Sequence, residues 1–447
     1  MRRLWLRCAN GCAAVERGAI ASPGLDPDHR GMALGSPPLA LYVHFPWCVR
    51  KCPYCDFNSY AVRGHEGAHG SQVPEDAYVD ALIRELEVQA SRGHALGRAL
   101  ISVFLGGGTP SLFSPEAIGR VLDAARRAFG FAPGVEITLE ANPGTIERGR
   151  FAEYRAAGVN RVSLGAQSFD AGMLAALGRI HSPGETCRAA EELHAAGLEN
   201  FNLDLMYALP GQDARGAVAD IDQALALDPA HLSHYQLTLE PGTVFAAQPP
   251  PNLPSEDASA EMFAPCVERL AAAGFAQYET SAYARPGRAA RHNCNYWTFG
   301  DYLGAGAGAH GKLTDAARAQ IVRTVQTREP RRYMAAPVES VAEKPVAPRD
   351  LPFEFMLNAL RLTDGFERAL FESRTGLKWD EVAPMLESLE CRGLVLRAGS
   401  RWAATVLGAR FLNDLLVQFL PTERARSVGR AVIGQSPATG AAALSTG

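Results

Sequence analysis

The sequence contains no uninterrupted apolar run near the ~20 residues that a membrane-spanning helix needs, so no transmembrane segment is predicted. It also has no excess of charge: 44 Lys and Arg residues stand against 48 Asp and Glu residues, for a formal net charge of -4. Nucleic acids and anionic membranes attract basic surfaces, and this balance predicts binding to neither. With 47% hydrophobic residues, the 447-residue chain is instead expected to form two or three domains with buried cores.

Cysteine is scarce, and its spacing excludes two common uses. The chain has nine cysteines, an odd number spread along its length, and no secretory signal is evident. A disulfide framework is therefore disfavoured, and a cytoplasmic protein with reduced thiols is predicted. Zinc sites favour a C-x2-C pair that is repeated downstream. No second pair follows the first here, because Cys187, Cys266, Cys294 and Cys391 stand alone.

Three cysteines do lie together: Cys48, Cys52 and Cys55 fall within one short segment, separated by three residues and then two. Three thiolates on one loop can bind three irons of a [4Fe–4S] cluster, which four cysteines normally hold. The fourth iron then stays open to an outside ligand, as in a catalytic zinc site. The segment resembles the cluster loop of the radical S-adenosylmethionine (SAM) superfamily, and zinc or an accidental spacing are the alternatives.

Short apolar runs alternate with longer helical patterns over the first half of the chain. The predicted strands are 41–45, 100–105, 135–140, 161–164, 201–205 and 232–237, and the predicted helices are 76–90, 115–129, 148–157, 184–196 and 214–227. About six βα units and a parallel α/β sheet are therefore expected. A doubly wound sheet and a partial barrel both fit, and in either one ligands bind at the carboxyl ends of the strands.

The pattern changes after about residue 350 and at both ends of the chain. Three predicted helices and a short hairpin resemble a winged-helix module, but no basic recognition helix is evident, so a structural or protein-contact role is predicted. The predicted units are a disordered or spurious extension at 1–37, a radical SAM core at 38–285, a connecting segment at 286–348, a winged-helix-like domain at 349–420 and a disordered tail at 421–447. If the extension is spurious, Met32 is the first residue.

Polar residues stand at or near the ends of successive predicted strands, where a buried parallel strand is expected to be apolar. They are Glu140, Gln167 and Asp204, and a glycine run ending in Thr109 follows the second strand. Glycine lets the backbone approach a ligand closely. Arg179 can pair with a carboxylate through its planar guanidinium. Each residue alone fits a helix cap or a solvated charge, but together they predict one shared pocket.

From Tyr42 to about Leu420 the chain resembles the oxygen-independent coproporphyrinogen III oxidase family of radical SAM proteins, and most closely its HemW-type heme chaperone branch. The resemblance implies a partial (βα)6 barrel with a C-terminal helical or winged-helix-like domain. It also implies a [4Fe–4S] cluster on Cys48, Cys52 and Cys55. The residues that it places around SAM are Tyr42, Tyr54, Gly107, Gly108, Thr109, Glu140, Gln167, Arg179 and Asp204.

Two features favour the chaperone branch. The oxidase motif resembles C-x3-C-x2-C-x-C, and Phe57 occupies its last position here, which puts oxidase activity in doubt. His292 and Tyr296 match an HN-x-x-Y motif of the chaperone branch, and both residue types serve as axial ligands of heme iron. The resemblance thus implies heme bound by His292 and Tyr296, with Cys294 as a further candidate. The alternative role of this motif is helix capping or core packing.

The expected function is a heme chaperone that passes heme to an acceptor protein, with an electron donor for the cluster. The alternative is an oxygen-independent coproporphyrinogen III dehydrogenase, in which cleavage of SAM starts an oxidative decarboxylation in porphyrin biosynthesis. A radical enzyme with another substrate is a third interpretation. Whether SAM is cleaved in normal function is left open by the residues.

Overall fold

The computed structural model describes residues 34–62, 73–92, 95, 97–144 and 150–421. The predicted extension up to residue 33, with the candidate start Met32, lies outside the described residues. The predicted tail from residue 422 onward also lies outside them. None of the described helices is both long and apolar enough to cross a membrane.

The described chain forms three sheets. In chain order the strands are β1 (Leu39–Phe45), β2 (Trp47–Cys48), β3 (Tyr60–Ala61), β4 (Leu100–Gly107), β5 (Phe131–Ala141), β6 (Arg161–Gln167), β7 (Phe201–Tyr207), β8 (His231–Gln236), β9 (Ala276–Glu279), β10 (Ala282–Ala284), β11 (Asp301–Ala305), β12 (His310–Asp315), β13 (Gln320–Val325), β14 (Ala342–Pro345), β15 (Phe366–Glu367), β16 (Val395–Ala398) and β17 (Arg401–Ala404). The largest sheet has the order β14-β13-β12-β11-β1-β4-β5-β6-β7-β8-β10-β9.

The helices pack around this sheet and build the C-terminal domain. They are α1 (Glu75–Ser91), α2 (Pro115–Phe129), α3 (Phe151–Ala156), α4 (Ala171–Ala176), α5 (Pro183–Ala195), α6 (Ala214–Ala226), α7 (Val244–Ala247), α8 (Glu256–Ala272), α9 (Arg291–Trp297), α10 (Pro330–Ala335), α11 (Leu351–Ala359), α12 (Arg368–Thr375), α13 (Ala383–Cys391), α14 (Val406–Arg410) and α15 (Leu412–Val417). Short 3-10 helices lie at Pro110–Leu112, Pro348–Asp350 and Trp379–Glu381.

The centre of the large sheet is parallel, from β11 through β1 and β4 to β8. Its βα units follow local signals. The helix α2, for example, is capped at its N-terminus by Ser114, whose side chain accepts a hydrogen bond from the Ala117 N–H. Gly130, with φ 73°, follows its last residue. Its buried face, including Ile118 and Val121, packs into the main core. The predicted α/β fold is confirmed.

The sheet is an open barrel. In the described residues its edge strands are β14 and β9, which are not paired with each other. Antiparallel strands extend both sides of the parallel centre: β12 to β14 beyond β11, and β10 and β9 beyond β8. The partial barrel predicted from the family resemblance is thus present, and the segment 286–348 adds α9 and four strands to it.

The C-terminal domain has the predicted helices and hairpin. The helices α11, α12 and α13 pack with a three-stranded sheet in the order β15-β17-β16. Its core is aromatic, with Phe355 in edge contact with Phe366 and Phe371 at 5.1 and 5.2 Å between ring centroids. Leu34 packs against this core, and the Gly35 N–H donates to the Ser373 carbonyl at 3.0 Å.

A buried carboxylate links the start of β11 to its neighbours. Asp301 accepts hydrogen bonds from Lys312 Nζ at 2.8 Å, from Arg98 Nη1 at 2.9 Å and from the Thr314 N–H at 3.0 Å. Lys312 also donates to the Phe299 carbonyl at 3.0 Å. Burial lowers the pKa of Lys312 to about 8, and the nearby Asp301 carboxylate opposes this effect. The lysine therefore depends on Asp301 for its counter-charge.

Asp301→Asn keeps the volume of the side chain but leaves the buried Lys312 without its counter-ion. We expect it to lower the free energy of unfolding by about 3–5 kcal/mol. The matched control is Asp222→Asn, whose carboxylate is 50% exposed and pairs with Arg269, with an expected loss below about 1 kcal/mol. Denaturant titration of both variants is the measurement. Equal losses would contradict the role of Asp301, whereas partial recovery by a second substitution, Lys312→Met, would support it.

Candidate functional site

The three candidate cluster ligands lie on one short loop beyond the end of β1. Cys48 ends β2, which pairs in parallel with β3. The Cys55 N–H donates to the Cys52 carbonyl at 3.1 Å, and the Val62 N–H donates to the Cys48 carbonyl at 2.9 Å. All three cysteines are free and partly exposed. The loop therefore presents three thiols that are held by backbone hydrogen bonds and remain accessible.

Burial favours the neutral form of two of these thiols, Cys48 and Cys55, before they bind iron. Burial raises the pKa of Cys48 to about 11, although hydrogen bonds with Thr109 and Ser59 oppose this rise. Burial also raises the pKa of Cys55. Because iron binds thiolates, cluster loading at this loop would release protons.

The loop fits a cluster in its donor set. A [4Fe–4S] cluster takes one thiolate on each of several irons, so its ligands need not converge on one point. Within the part of the chain that the structure describes, no group of three or more His, Cys, Asp and Glu side chains is arranged to hold a single metal ion. Arg179 Nη1 lies 3.7 Å from Cys52 Sγ and places a positive charge beside the loop.

The glycine run after β4 packs directly against the cluster loop. Gly107 has φ 113°, and a Cβ atom there would lie 2.4 Å from the His44 ring. At Gly108 a Cβ atom would lie 2.5 Å from the Trp47 carbonyl oxygen. The Gly108 N–H donates to the Phe45 carbonyl at 2.7 Å. Glycine is thus required here by the approach of two backbone segments, in addition to any approach of a ligand.

Two half-buried carboxylates lie on β5 and β7, on either side of β6. Glu140 Oε2 accepts a hydrogen bond from the Gly107 N–H at 2.9 Å. Asp204 accepts from Asn202 Nδ2 at 2.8 Å and from Ser163 Oγ at 3.0 Å. Burial raises the pKa of Glu140 to about 7, against the hydrogen bond from Gly107 and with a further contribution from the Asp204 charge. In their ionised forms, both carboxylates can accept hydrogen bonds from the hydroxyls of a ligand.

Arg179 connects the cluster loop to the strand ends. Its Nη2 donates to Asn142 Oδ1 at 2.5 Å and to the Gly165 carbonyl at 2.8 Å. Asn142 Nδ2 in turn donates to Thr109 Oγ1 at 2.9 Å. The Arg179 Nε atom is buried and has no hydrogen-bond partner among the described residues. Asn142 was not among the predicted site residues, although it follows Glu140 by two positions.

Among the remaining predicted residues, Gln167 ends β6, whereas Tyr42 lies at the middle of β1. Gln167 has φ 65°, and its Oε1 accepts a hydrogen bond from the Tyr235 hydroxyl at 3.1 Å. Tyr42 stacks on Phe104 at 6.1 Å between ring centroids. Burial raises the pKa of Tyr54, and the positive charge of Arg179 opposes this rise. Of the residues predicted around SAM, Gly107, Glu140 and Gln167 lie at or near the carboxyl ends of their strands, whereas Asp204 lies at the middle of β7.

A cavity of about 530 Å³ lies beside the cluster loop, between the barrel and the C-terminal domain. Its wall includes Tyr42 of β1, Phe57 of the cluster loop, Tyr296 of α9 and Asn358 of α11. The Phe57 side chain is 59% exposed. The position at which the sequence departs from the oxidase pattern therefore lies on this wall.

The two predicted heme ligands have different surroundings. Tyr296 lines the cavity, whereas His292 is not part of its wall and is buried. His292 Nδ1 lies 2.7 Å from Glu136 Oε1, and the ring is 4.4 Å from the Phe104 ring. Burial lowers the pKa of His292 despite this carboxylate, so its neutral ring donates the Nδ1 proton to Glu136. No sequence pattern marked Glu136, which lies within a strand.

The glycine-rich loop 306–309, between β11 and β12, contacts the cluster loop from the other side. Asn58 Nδ2 donates to the Ala307 carbonyl at 2.9 Å and to the Arg328 carbonyl at 2.8 Å. Gly308 has φ 83°, and a Cβ atom there would lie 2.5 Å from Asn58 Nδ2. At Gly306, with φ 99°, a Cβ atom would lie 2.4 Å from the His44 carbonyl oxygen. These glycines allow the two loops to meet.

The chain is similar to known proteins over most of its length. Residues 42–224 match the radical SAM superfamily, and residues 346–411 match the HemN C-terminal domain. The chain is 48% identical to the heme chaperone HemW of Escherichia coli over 385 residues, covering 86% of this chain and 98% of that protein. It is 37% identical to the heme chaperone HemW of Mycobacterium tuberculosis over 410 residues, covering 90% of this chain and 98% of that protein.

A mammalian relative and a solved structure are also similar. The mouse radical S-adenosyl methionine domain-containing protein 1, mitochondrial, is 38% identical over 334 residues, which is 72% of each chain. The structure of coproporphyrinogen III oxidase (HemN) from Escherichia coli matches with a TM-score of 0.71 at 23% identity, covering 86% of this chain and 90% of that chain. At this identity the match concerns the fold alone.

Gly308→Ala tests whether the contact between the two loops supports the cluster site. Gly274→Ala is the matched control, because Gly274 also has a positive φ, 82°, but a Cβ atom there would have no neighbour within 4 Å. Both substitutions should cost roughly 1–2 kcal/mol in backbone strain. We expect Gly308→Ala to lose at least about 1 kcal/mol more through the clash with Asn58, and to bind less iron on reconstitution. Equal melting temperatures and iron contents in the two variants would contradict this role.

Proposed function

Because the chain belongs to the HemW family of heme chaperones, we propose that it binds heme and passes it to an acceptor protein. We further propose that Cys48, Cys52 and Cys55 hold a [4Fe–4S] cluster with an exchangeable SAM, reduced by a separate electron donor. The reduced thiols favour the cytoplasm as its location. The observation that carries the proposal is the joint placement of the three-thiol loop and the aromatic cavity at one end of the barrel.

The residues around the cluster loop are suited to bind and orient SAM. When bound, the cluster would supply an iron for the amino and carboxylate groups of SAM and an electron for its reductive cleavage. Arg179 offers a buried N–H without a described partner to an anionic group. Glu140 and Asp204 offer carboxylate oxygens to hydroxyls, while Gly107 and Gly108 allow close approach of the backbone. Burial of these groups keeps water away from the site.

The wall of the cavity favours heme over the oxidase reaction. Phe57 replaces the last cysteine of the oxidase pattern and presents an exposed aromatic ring next to the cluster loop. Tyr296, one of the two predicted heme ligands, lines the same space. An aromatic wall provides contact area for a planar porphyrin. Coproporphyrinogen III dehydrogenase activity remains the alternative, because the fold is shared with the oxidase.

The chaperone and oxidase functions are separated by one anaerobic experiment on the full chain. We expect the cluster-loaded protein to bind heme with a stoichiometry near one and a defined Soret band. Supplied with coproporphyrinogen III, SAM and a reductant, the same preparation should form no vinyl product. A bona fide oxidase assayed in parallel verifies the reagents. Turnover to vinyl product, or failure to bind heme, would overturn the chaperone assignment.

Glu140→Gln tests the proposed SAM site through its dependence on pH. The pKa of Glu140 is about 7, and hydrogen bonds from SAM hydroxyls favour the ionised form. The affinity of the native protein for SAM should therefore rise between about pH 6 and pH 8, as the carboxyl loses its proton. The glutamine variant should bind SAM about tenfold more weakly above pH 7, with a smaller rise. The amino group of SAM titrates in both proteins and cancels in the comparison. Identical pH profiles would remove Glu140 from the SAM site.

A further inference from the structure

The cavity beside the cluster loop has an outer wall that the predicted cluster and SAM residues do not explain. His310, Arg323 and Arg328, which lie on β12, β13 and the following loop, form part of it together with Phe57 and Tyr296. Its volume of about 530 Å³ falls within the range of sites that bind drug-sized ligands.

His310 is the accessible histidine of this wall. It begins β12 directly after the glycine-rich loop and is exposed. No described residue forms a hydrogen bond with its ring. The other histidine of the wall, His44, has both ring nitrogens engaged: Nδ1 with the Tyr42 hydroxyl at 2.8 Å and Nε2 with the Asn58 carbonyl at 2.9 Å. His310 therefore has a ring nitrogen available to bind a metal centre of a ligand in the cavity.

The cations of the wall likewise differ in whether they have a carboxylate partner. Lys312 is paired with Asp301, and Arg323 is paired with Glu354. The exposed Arg328 side chain reaches Asn58 Oδ1 through Nε at 3.4 Å, and no described carboxylate pairs with it. A guanidinium without a carboxylate partner is suited to a carboxylate of a ligand, because it can donate two parallel hydrogen bonds.

Both residues are held close to the cluster loop by the backbone. The Arg328 carbonyl accepts hydrogen bonds from Asn58 Nδ2 at 2.8 Å and from the Tyr60 hydroxyl at 3.2 Å. His310 pairs with Val325 across β12 and β13. Independent backbone contacts therefore fix the segments that carry His310 and Arg328 to the same wall.

We propose that heme occupies this cavity, with His310 as the histidine on its iron, Arg328 on one propionate, and Phe57 and Tyr296 against the porphyrin ring. The inference rests on the proposed function and makes it more specific. It assigns the iron to a histidine other than the predicted His292, which is buried against the Phe104 ring and is not part of the cavity wall. In this arrangement His292 and Glu136 position Tyr296 from behind the wall.

The test is an anaerobic absorbance titration of the cluster-loaded full chain with three probes. Heme carries both iron and propionates, protoporphyrin IX lacks the iron, and heme dimethyl ester lacks the free carboxylates. The variants are His310→Ala, His292→Ala and Arg328→Ala, and the control is Arg331→Ala, an exposed arginine of α10 that does not line the cavity. Iron content and melting temperature are measured for each variant, so that loss of the cluster or of the fold is recognised.

His310→Ala should weaken heme binding by about tenfold or more and change the Soret band, with no effect on protoporphyrin IX. Arg328→Ala should weaken binding of heme and protoporphyrin IX several-fold but leave the dimethyl ester unaffected. Arg331→Ala should match the native protein. If His310→Ala loses the cluster, His310→Met provides the second variant, because methionine is also an axial ligand and should shift the Soret band while heme stays bound.

Two results would overturn the inference without touching the proposed function. One is native heme affinity and an unchanged Soret band in the His310 variants, together with loss of both in His292→Ala. The other is an equal effect of Arg328→Ala on the ester and on heme. Failure of the native protein to bind heme would instead overturn the proposed function itself.

Discussion

The side chain of Asn58 holds the candidate site together. Through Nδ2 it joins the cluster loop to the glycine-rich loop after β11 and to the end of β13, and its carbonyl accepts a hydrogen bond from His44. The cluster loop has little regular structure of its own, since β2 and β3 contain two residues each. Its shape therefore depends on contacts with segments that are some 250 positions away in the sequence. The cluster ligands and the cavity wall are set by the same few hydrogen bonds.

The inner part of the site consists of ionisable side chains that the surrounding protein shields from water. Glu140 and Asp204 lie on β5 and β7, on either side of β6, and Arg179 lies between the cluster loop and Asn142. Fixed donors and acceptors of this kind need little reorganisation when a polar ligand binds. The outer cavity is different in character, because aromatic rings and partly exposed cations form its wall. One polar and one aromatic compartment thus adjoin the same loop.

The sequence predicted the parts of the fold that local pattern controls. The apolar runs at six of the seven parallel strands alternate with helices, so both type and order could be predicted, whereas the seventh parallel strand, β11, was not predicted. The antiparallel strands β12 to β14 were not predicted, because they follow no strand and helix alternation, and β14 is exposed along its whole length.

The site residues also divide into those that the local sequence marks and those that only the fold brings together. Glu140, Gln167 and Asp204 could be found because a polar residue is unexpected at the end of a buried strand. Glu136 could not, since it lies 156 positions from His292, and only the pairing of distant strands brings the two together. The same applies to His310 and Arg328, whose relevance depends on the fold of the loop around Asn58.

Because the barrel is open, the large sheet has two edge strands, and each is protected from pairing with a further strand. The edge strand β14 is exposed but contains Glu343, Lys344 and Pro345, and both charge and a missing N–H disfavour pairing with another chain. At the other edge, β9 is covered by the C-terminal domain, where Glu279 forms a bridge with Leu362 and the Thr363 N–H donates to the Tyr278 carbonyl at 3.1 Å. The C-terminal domain therefore covers this edge, and its removal would expose the backbone of β9 to pairing with another chain.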